Sequence, residues 1–188
     1  MRKAFKEWAL ICWALASGRQ ALVLRKGGIR EEGGGFAPAQ PAFLLYPTWF
    51  HQKPESVVPG AREALARLEA EPPRPDELVI THWAELAGAV RVTSLGALLA
   101  LRGQHIWSDA AAEERFRRWG EDAVHALLLR VHALPGPARL PVREAYAGCR
   151  SWVDLQDEVE TAGSVPVLDE GAFTRRAEAI RAALAEGN

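Results

Sequence analysis

The chain has 188 residues, of which 48% are hydrophobic and 25% charged, and its formal net charge at pH 7 is −1. This length and composition fit a single domain, residues 1–188, with a sizeable core, and they exclude a largely disordered chain. Because the net charge is close to zero, the chain as a whole has no general attraction for nucleic acid or for anionic membranes, so any such attraction must come from a local basic patch.

The two cysteines, Cys12 and Cys149, stand far apart in the sequence. They lack the CxxC spacing of a zinc site, and two cysteines do not make a disulfide framework. We therefore expect a protein of the reducing cytoplasm. No apolar stretch is long enough to cross a membrane, so we expect no membrane partner.

The N-terminal segment has a basic start followed by an apolar run, which imitates a secretory signal. However, the charged pair Lys6 and Glu7 stands directly before a run of only about ten residues that carries two tryptophans. Large side chains recur there at helical spacing, and Gly18 is placed as a C-terminal stop. We predict an amphipathic packing helix over residues 3–17.

The rest of the chain alternates between strand and helix patterns without a strict βαβ order, which favours an α+β fold. We predict a mixed, largely antiparallel sheet with flanking helices. Ser94 or Thr93, and Ser108, are placed to cap helices. Strands are predicted within residues 19–27, 41–52 (ending near Pro47), 76–86, 90–93 and 125–134, a proline-rich crossing at 135–141, and helices within 59–71, 93–103 and 109–122 and from about residue 169.

The glycine-rich segment LRKGGIREEGGGF, residues 24–36, has neither the GxxxxGK[ST] nor the GxGxxG spacing of a phosphate-binding loop, and no helix pattern follows it. Nudix chemistry would need a second pair of glutamates on the following helix, where Ala66 and Arg67 stand instead. The segment therefore indicates a connection between two strands in which glycine supplies positive φ values.

Three blocks of the sequence resemble the bacterial family known as domain of unknown function 1802. The first is KEWALICWALASGRQALVLRKGGIREEGGGF, the second FLLYPTWFHQ, and the third HALLLRVHALPGPARLP followed by YAGCRSWVDL. The resemblance runs from about residue 4 to residue 156. It implies no established activity, but a restriction-endonuclease-type domain accompanies some members, which implies a link to restriction or DNA metabolism. Members often carry a histidine before the second strand, where this chain has Gln40.

A weaker resemblance concerns the C-terminal half. The strand LLLRVHAL, the proline-rich crossing and SWVDLQDEVETAGSVPV are similar to the closing strands of PUA-like barrels, such as ASCH and EVE domains. The resemblance implies a small PUA-like barrel with flanking helices as the alternative fold. ASCH and EVE domains bind RNA or modified bases, so the resemblance also implies a nucleic-acid or nucleotide ligand.

Polar residues beyond predicted strand ends are the best candidates for binding, because loops at strand ends often carry binding groups. Two tryptophans could stack on bases, and an arginine could hold a phosphate or a carboxylate. No nucleophile motif is present and the histidines are scattered, so the catalytic residues are unknown and no metal site is predicted. The candidate binding set is Arg25, Lys26, Glu31, Tyr46, Thr48, His51, Gln52, Trp107, Arg130 and Trp152.

Three functions stay open at this stage. The first is a binding domain for DNA, RNA or a nucleotide. The second is a small metal-dependent hydrolase or nuclease that would use Glu31, His51 and His82. The third is a protein-interaction module that docks a partner through exposed tryptophans. The sequence does not indicate a cofactor or an oligomeric state.

Overall fold

The computed structural model describes residues 1–26, 41–120, 122–148 and 150–187. The glycine-rich segment beyond Lys26, with Glu31, and also Cys149, lie outside the described residues. In chain order the elements are β1 (Lys3–Trp8), α1 (Ala9–Ala16), β2 (Leu22–Arg25), β3 (Ala42–Thr48), α2 (Pro59–Ala70), β4 (Glu77–Val92), α3 (Leu95–Ala100), α4 (Asp109–Arg117), β5 (Val124–Pro141), β6 (Trp152–Asp154), β7 (Val165–Pro166) and α5 (Glu170–Glu186).

The described strands form one sheet in the order β2-β5-β4-β3-β1-β6, with β7 also paired to β5. β1 is parallel to β3, and the other pairings are antiparallel. A parallel pair needs a long connection, and here α1 and β2 lie between the two parallel strands. The predicted α+β class with a mixed, largely antiparallel sheet is confirmed.

Both faces of the central strands are buried. Phe5 and Phe43 enter the larger core, while their neighbours Ala4 and Leu44 enter a smaller core on the opposite face. Strands covered on both sides have near-continuous apolar sequences rather than a strict alternation. The larger core is closed by apolar side chains from all five helices, among them Leu10, Leu65, Leu98, Phe116 and Ile180.

The predicted helix over residues 3–17 is wrong in its first part. Residues Lys3–Trp8 form β1, and the helix begins only at Ala9. Residues of β1 pair with β3 on one side and with β6 on the other. Pairing inside the sheet buries both faces of this segment, whereas an amphipathic helix would bury only one, so tertiary packing overrides the helical spacing.

The predicted proline-rich crossing at residues 135–141 is also wrong, because β5 continues through it to Pro141. β4 runs correspondingly longer than predicted, to Val92, and the two strands pair along most of their length. The register shifts between Ile80 and His82, opposite residues 134–137 of β5. This irregularity accommodates the prolines, which cannot donate to a regular ladder.

The predicted starts of α3, α4 and α5 are confirmed. The side chains of Ser94, Ser108 and Asp169 accept hydrogen bonds from the backbone N–H three residues later, at the starts of α3, α4 and α5. These bonds satisfy N–H groups that have no partner within the helix. No helix in the described part of the chain is long and apolar enough to cross a membrane.

His105 lies buried in the turn after α3, with 6% of its surface exposed. Burial lowers its pKa from the ordinary value of 6.5 to about 4, although the nearby Asp109 partly opposes this shift. Between these two values the unfolded chain binds a proton that the folded chain does not. The folded state therefore gains stability from this group at higher pH and loses it as the pH falls from 6.5 towards 4.

We expect the free energy of unfolding to fall by about 3 kcal/mol over that interval on account of His105 alone. The variant His105→Gln has no titrating ring, so its unfolding free energy should depend less steeply on pH in this window. Urea unfolding of both proteins at several pH values measures the difference. Parallel pH profiles for the two proteins would contradict the assignment.

Candidate functional site

The side chain of Arg25 joins the two ends of the sheet. In the strand order, β2 and β1 are four strand spacings apart, which is about 19 Å in a flat sheet. Yet the Arg25 guanidinium lies 3.0 Å from a carboxylate oxygen of Glu7 on β1 and 2.5 Å from the hydroxyl of Ser151 before β6. It also lies 4.7 Å from the centre of the Phe5 ring. The sheet is therefore strongly curled, and Arg25 bridges its ends.

Glu7 is the buried partner in this bridge, with 4% of its surface exposed. One carboxylate oxygen accepts the backbone N–H of Trp8 at 2.9 Å, and the other binds Arg25. Its backbone carbonyl accepts the hydroxyl of Thr48 at 3.0 Å. A carboxylate inside the protein requires such partners, because an isolated buried charge is strongly unfavourable.

The start of α1 lies directly beside Glu7. Trp8 provides no side-chain cap, and the backbone N–H of Leu10 instead donates to the side-chain oxygen of Gln52 at 2.8 Å. Gln52 comes from the loop after β3, so this bond fixes that loop against the helix.

Lys26 ties the end of β2 to the end of α4. Its ammonium group donates to the backbone carbonyl oxygens of Phe116 and Ala123, both at 2.8 Å. A cation at the C-terminal end of a helix is favourable, because the last carbonyl groups have no partner within the helix.

Arg115 on α4 stacks on two tryptophans next to this bridge. Its guanidinium carbon lies 3.7 Å from the ring centre of Trp107 and 5.8 Å from that of Trp8. The two indoles meet edge to face at 4.7 Å. Burial lowers the pKa of Arg115, and the charge of Glu7 opposes that shift. A guanidinium nevertheless stays protonated in proteins, so Arg115 is a cation held on an aromatic surface.

Arg115 has no ion pair among the described residues, although two carboxylates are near. Glu7 pairs with Arg25, and Glu114 pairs with Arg118 at 2.6 Å. Three guanidinium groups thus share two carboxylates. Among the described residues, Arg115 is therefore the guanidinium of these three that no carboxylate neutralises.

Two further donors at this place lack acceptors. The indole nitrogen of Trp107 and the side-chain nitrogen of Gln52 are buried and have no hydrogen-bond partner within the described ranges. A buried donor without an acceptor costs roughly 1–3 kcal/mol. An acceptor-rich ligand or an ordered water would remove that cost.

Two large exposed aromatic side chains are close in sequence to Gln52 and Arg115. Phe50 is 78% exposed and Trp119 is 77% exposed. Phe50 precedes Gln52 by two residues, a span of at most about 7 Å, and Trp119 follows Arg115 by four residues, just beyond α4. His51 and Trp119 have φ values of 64° and 63°, which residues other than glycine rarely adopt. We call Trp8, Phe50, Gln52, Trp107, Arg115 and Trp119 the Arg115 surface.

The structure brings together part of the candidate set predicted from the sequence. Five of its members make the contacts described above: Arg25, Lys26, Thr48, Gln52 and Trp107. In each of them the contacts described above occupy at least part of the side chain.

Trp152 lies beside the bridge, because it packs on Phe43 and on Phe5, the ring that the Arg25 guanidinium covers. Tyr46 packs against Tyr146 on the opposite face of the sheet. Arg130 forms an ion pair with Glu170 at 2.6 Å, against α5. His51 is exposed in the loop after β3. Glu31 lies outside the described residues, as stated above.

The metal-dependent alternative gains no support from the described part of the chain. Within it, no three His, Cys, Asp or Glu side chains are close enough together to hold a metal ion. Of the three residues considered for that chemistry, His82 contacts the hydroxyl of Thr81 at 2.8 Å.

Sequence reasoning missed Glu7 and Arg115. The sequence EERFRRW, residues 113–119, could have identified Arg115. In this helix Glu113 pairs with Arg117 and Glu114 pairs with Arg118, four residues apart in each case. These pairs use both glutamates and leave Arg115 between Ala111 and Trp119 at the positions four residues away. No comparable signal identified Glu7, whose partner is 18 residues away.

We expect Arg25→Gln to lower the free energy of unfolding by about 3 kcal/mol, because it leaves the Glu7 carboxylate buried without its cation. Glu7→Gln together with Arg25→Gln should cost clearly less than the sum of the two single changes. Urea denaturation of the four proteins provides this double-mutant cycle.

Arg67→Gln is the matched control, because Arg67 pairs with Glu63 on the exposed side of α2. Its cost should stay within about 0.5 kcal/mol. Additive costs for the Glu7 and Arg25 changes would show that the bridge does not couple the ends of the sheet.

Comparison with solved structures finds the ASCH protein of Zymomonas mobilis, at 15% identity and a TM-score of 0.44, with 94% of this chain and 92% of that chain covered. A single-substitution variant of the same protein matches at 14% identity and a TM-score of 0.46, with 95% and 94% covered.

No curated protein was found to match the chain. The sequence profile of one family, described as a domain of unknown function (DUF1802), matches residues 4–179. This match includes β1 through most of α5, and with it Glu7, Arg25 and Arg115. The chain therefore belongs to the DUF1802 family.

Proposed function

We propose that this protein binds single-stranded nucleic acid on the Arg115 surface. The observation that carries the proposal is the surplus guanidinium of Arg115, stacked at 3.7 Å on Trp107 and without a carboxylate of its own among the described residues. A phosphate group or a base carbonyl would supply the missing acceptor.

The exposed aromatic side chains favour a single strand over a duplex. Unpaired bases stack on aromatic rings regardless of sequence, and each such contact contributes roughly 1–3 kcal/mol. In a duplex the base faces are already stacked on each other. Phe50 and Trp119, both members of the Arg115 surface, are more than three-quarters exposed.

The charge distribution explains how a chain of net charge −1 can bind a polyanion. Arg25 and Arg118 are neutralised by their own carboxylates, whereas Arg115 is not. The positive potential is thus local, which fits modest, salt-dependent affinity rather than tight binding of any nucleic acid. The resemblance to a family linked with restriction supports DNA as the strand, and the resemblance to ASCH domains supports RNA.

The test is fluorescence anisotropy with labelled single-stranded RNA, single-stranded DNA and the matching duplexes at low and moderate salt. We expect a Kd between roughly 10⁻⁴ and 10⁻⁶ M for at least one single strand at low salt, weakening as salt rises. Binding weaker than about 0.1 mM for every strand at low salt would overturn the proposal.

Two variants test whether the strand binds to the Arg115 surface. Trp119→Asn removes the indole while keeping a residue that tolerates a positive φ, and it should raise the Kd for a single strand about fivefold or more. Arg115→Gln should weaken binding and reduce its salt dependence. Arg67→Gln, an exposed arginine on α2, is the matched control and should bind like the wild type. Unchanged affinity in both test variants would exclude this surface.

A further inference from the structure

A second basic feature lies away from the Arg115 surface, in a groove of about 490 Å³ beside α5. Its walls come from the turn after α1, the turn after α3 and the first half of α5. The polar side chains that line it are Arg19, Gln104, Arg175 and Arg176. We call this feature the α5 groove. Its volume lies within the range of ordinary ligand sites.

The arginines of the α5 groove differ from half of the arginines in the described part of the chain. Nine other arginines of the described residues form an ion pair with a carboxylate. Neither Arg19, Arg175 nor Arg176 has such a pair within the part of the chain that the structure describes. Three cations therefore converge on one concave surface without their own counter-charges.

Three acidic side chains of the neighbouring segments have other partners. Asp109 binds Arg102, Glu170 binds Arg130, and Asp169 caps the backbone N–H of Ala172. Glu178, on the same half of α5, lies three residues after Arg175, a spacing that puts both on one helix face, but the two described residues form no ion pair.

Two of the three guanidinium groups are already held in place. Arg176 donates to the backbone carbonyl of Arg19 at 2.7 Å and to that of Gly18 at 3.5 Å, which joins α5 to the end of α1. Arg19 lies over the Trp13 ring, 5.0 Å from its centre. Arg175 is exposed. Cations fixed in this way lose less side-chain entropy when an anion binds.

We infer that the α5 groove binds a phosphate group, which the converging guanidinium groups of Arg19, Arg175 and Arg176 would hold. Guanidinium groups match phosphate because their planar N–H donors can bind two oxygen atoms at once. A groove open to solvent also suits a phosphate that remains attached to a larger molecule.

The backbone of a bound nucleic acid is the favoured source of that phosphate, and this part of the inference rests on the proposed function. The α5 groove adjoins the C-terminal end of α1, and the Arg115 surface adjoins its N-terminal end. The helix has eight residues, so the two features are separated along it by about 12 Å. Six of the eight residues of α1 are buried, so a single strand that meets both features would pass over the partly exposed side chains of Trp13 and Ala16.

The first arm of the test uses inorganic tripolyphosphate and the full chain, and it does not depend on nucleic acid. In an NMR titration, the Nε–H signals of Arg19 and Arg175 should shift in a saturable way, with a Kd of about 1 mM or tighter. The double variant Arg19→Gln/Arg175→Gln should weaken this binding at least tenfold. Arg181→Gln, an exposed arginine on α5 outside the groove, is the matched control and should bind like the wild type.

No saturable shift at Arg19 or Arg175, or equal binding by the double variant, would overturn the phosphate site. The second arm identifies the source by anisotropy with single-stranded oligonucleotide. If the phosphate belongs to a nucleic-acid backbone, the double variant should reduce the slope of log Kd against log salt by about 1.4, since each lost contact contributes about 0.7. An unchanged slope with tripolyphosphate still bound would support a free phosphorylated molecule as the ligand, whatever the outcome for the Arg115 surface.

Discussion

The ion pair between Glu7 and Arg25 is the contact on which the rest of this structure depends. It spans strands that would be about 19 Å apart in a flat sheet, and so it holds the two ends of the curled sheet together. Glu7 lies at the junction of β1 and α1, and its backbone carbonyl also accepts a hydrogen bond from the hydroxyl of Thr48 on β3. Through its carboxylate and its backbone carbonyl together, Glu7 thereby joins β1, β2, β3 and the start of α1.

The same bridge determines which charges remain for a ligand. Glu7 is used by Arg25, and the exposed pair on α4 uses Glu114, so Arg115 keeps its charge beside them. Stacking on Trp107 holds that charge at a surface from which water is partly excluded. An interaction with an anion is stronger there than in open solvent. The structural role of the bridge and the proposed binding role of the Arg115 surface are therefore consequences of one arrangement.

Much of the fold could be predicted from local patterns, because helix caps such as Ser108 and strands such as β3 are encoded by neighbouring residues. The errors arose where distant pairing decided the outcome. β1 pairs with strands about 40 and 150 residues away, and the prolines of β5 are accommodated by a shift in register with β4. The candidate site was predictable only in part for the same reason. Gln52 and Thr48 stand at a recognisable strand end, but that both contact the Glu7–α1 junction follows from the fold alone.

We propose that a nucleic-acid strand binds to the Arg115 surface, and the tryptophan side chains of the chain allow a direct test of where it binds. Their indole N–H groups give separate NMR signals, which can be followed while single-stranded oligonucleotide is added. We predict that the signals of Trp107 and Trp119 shift together, while the signal of Trp83, which stacks on His132, stays unchanged. Saturable shifts at Trp83 without any change at Trp107 and Trp119 would contradict it.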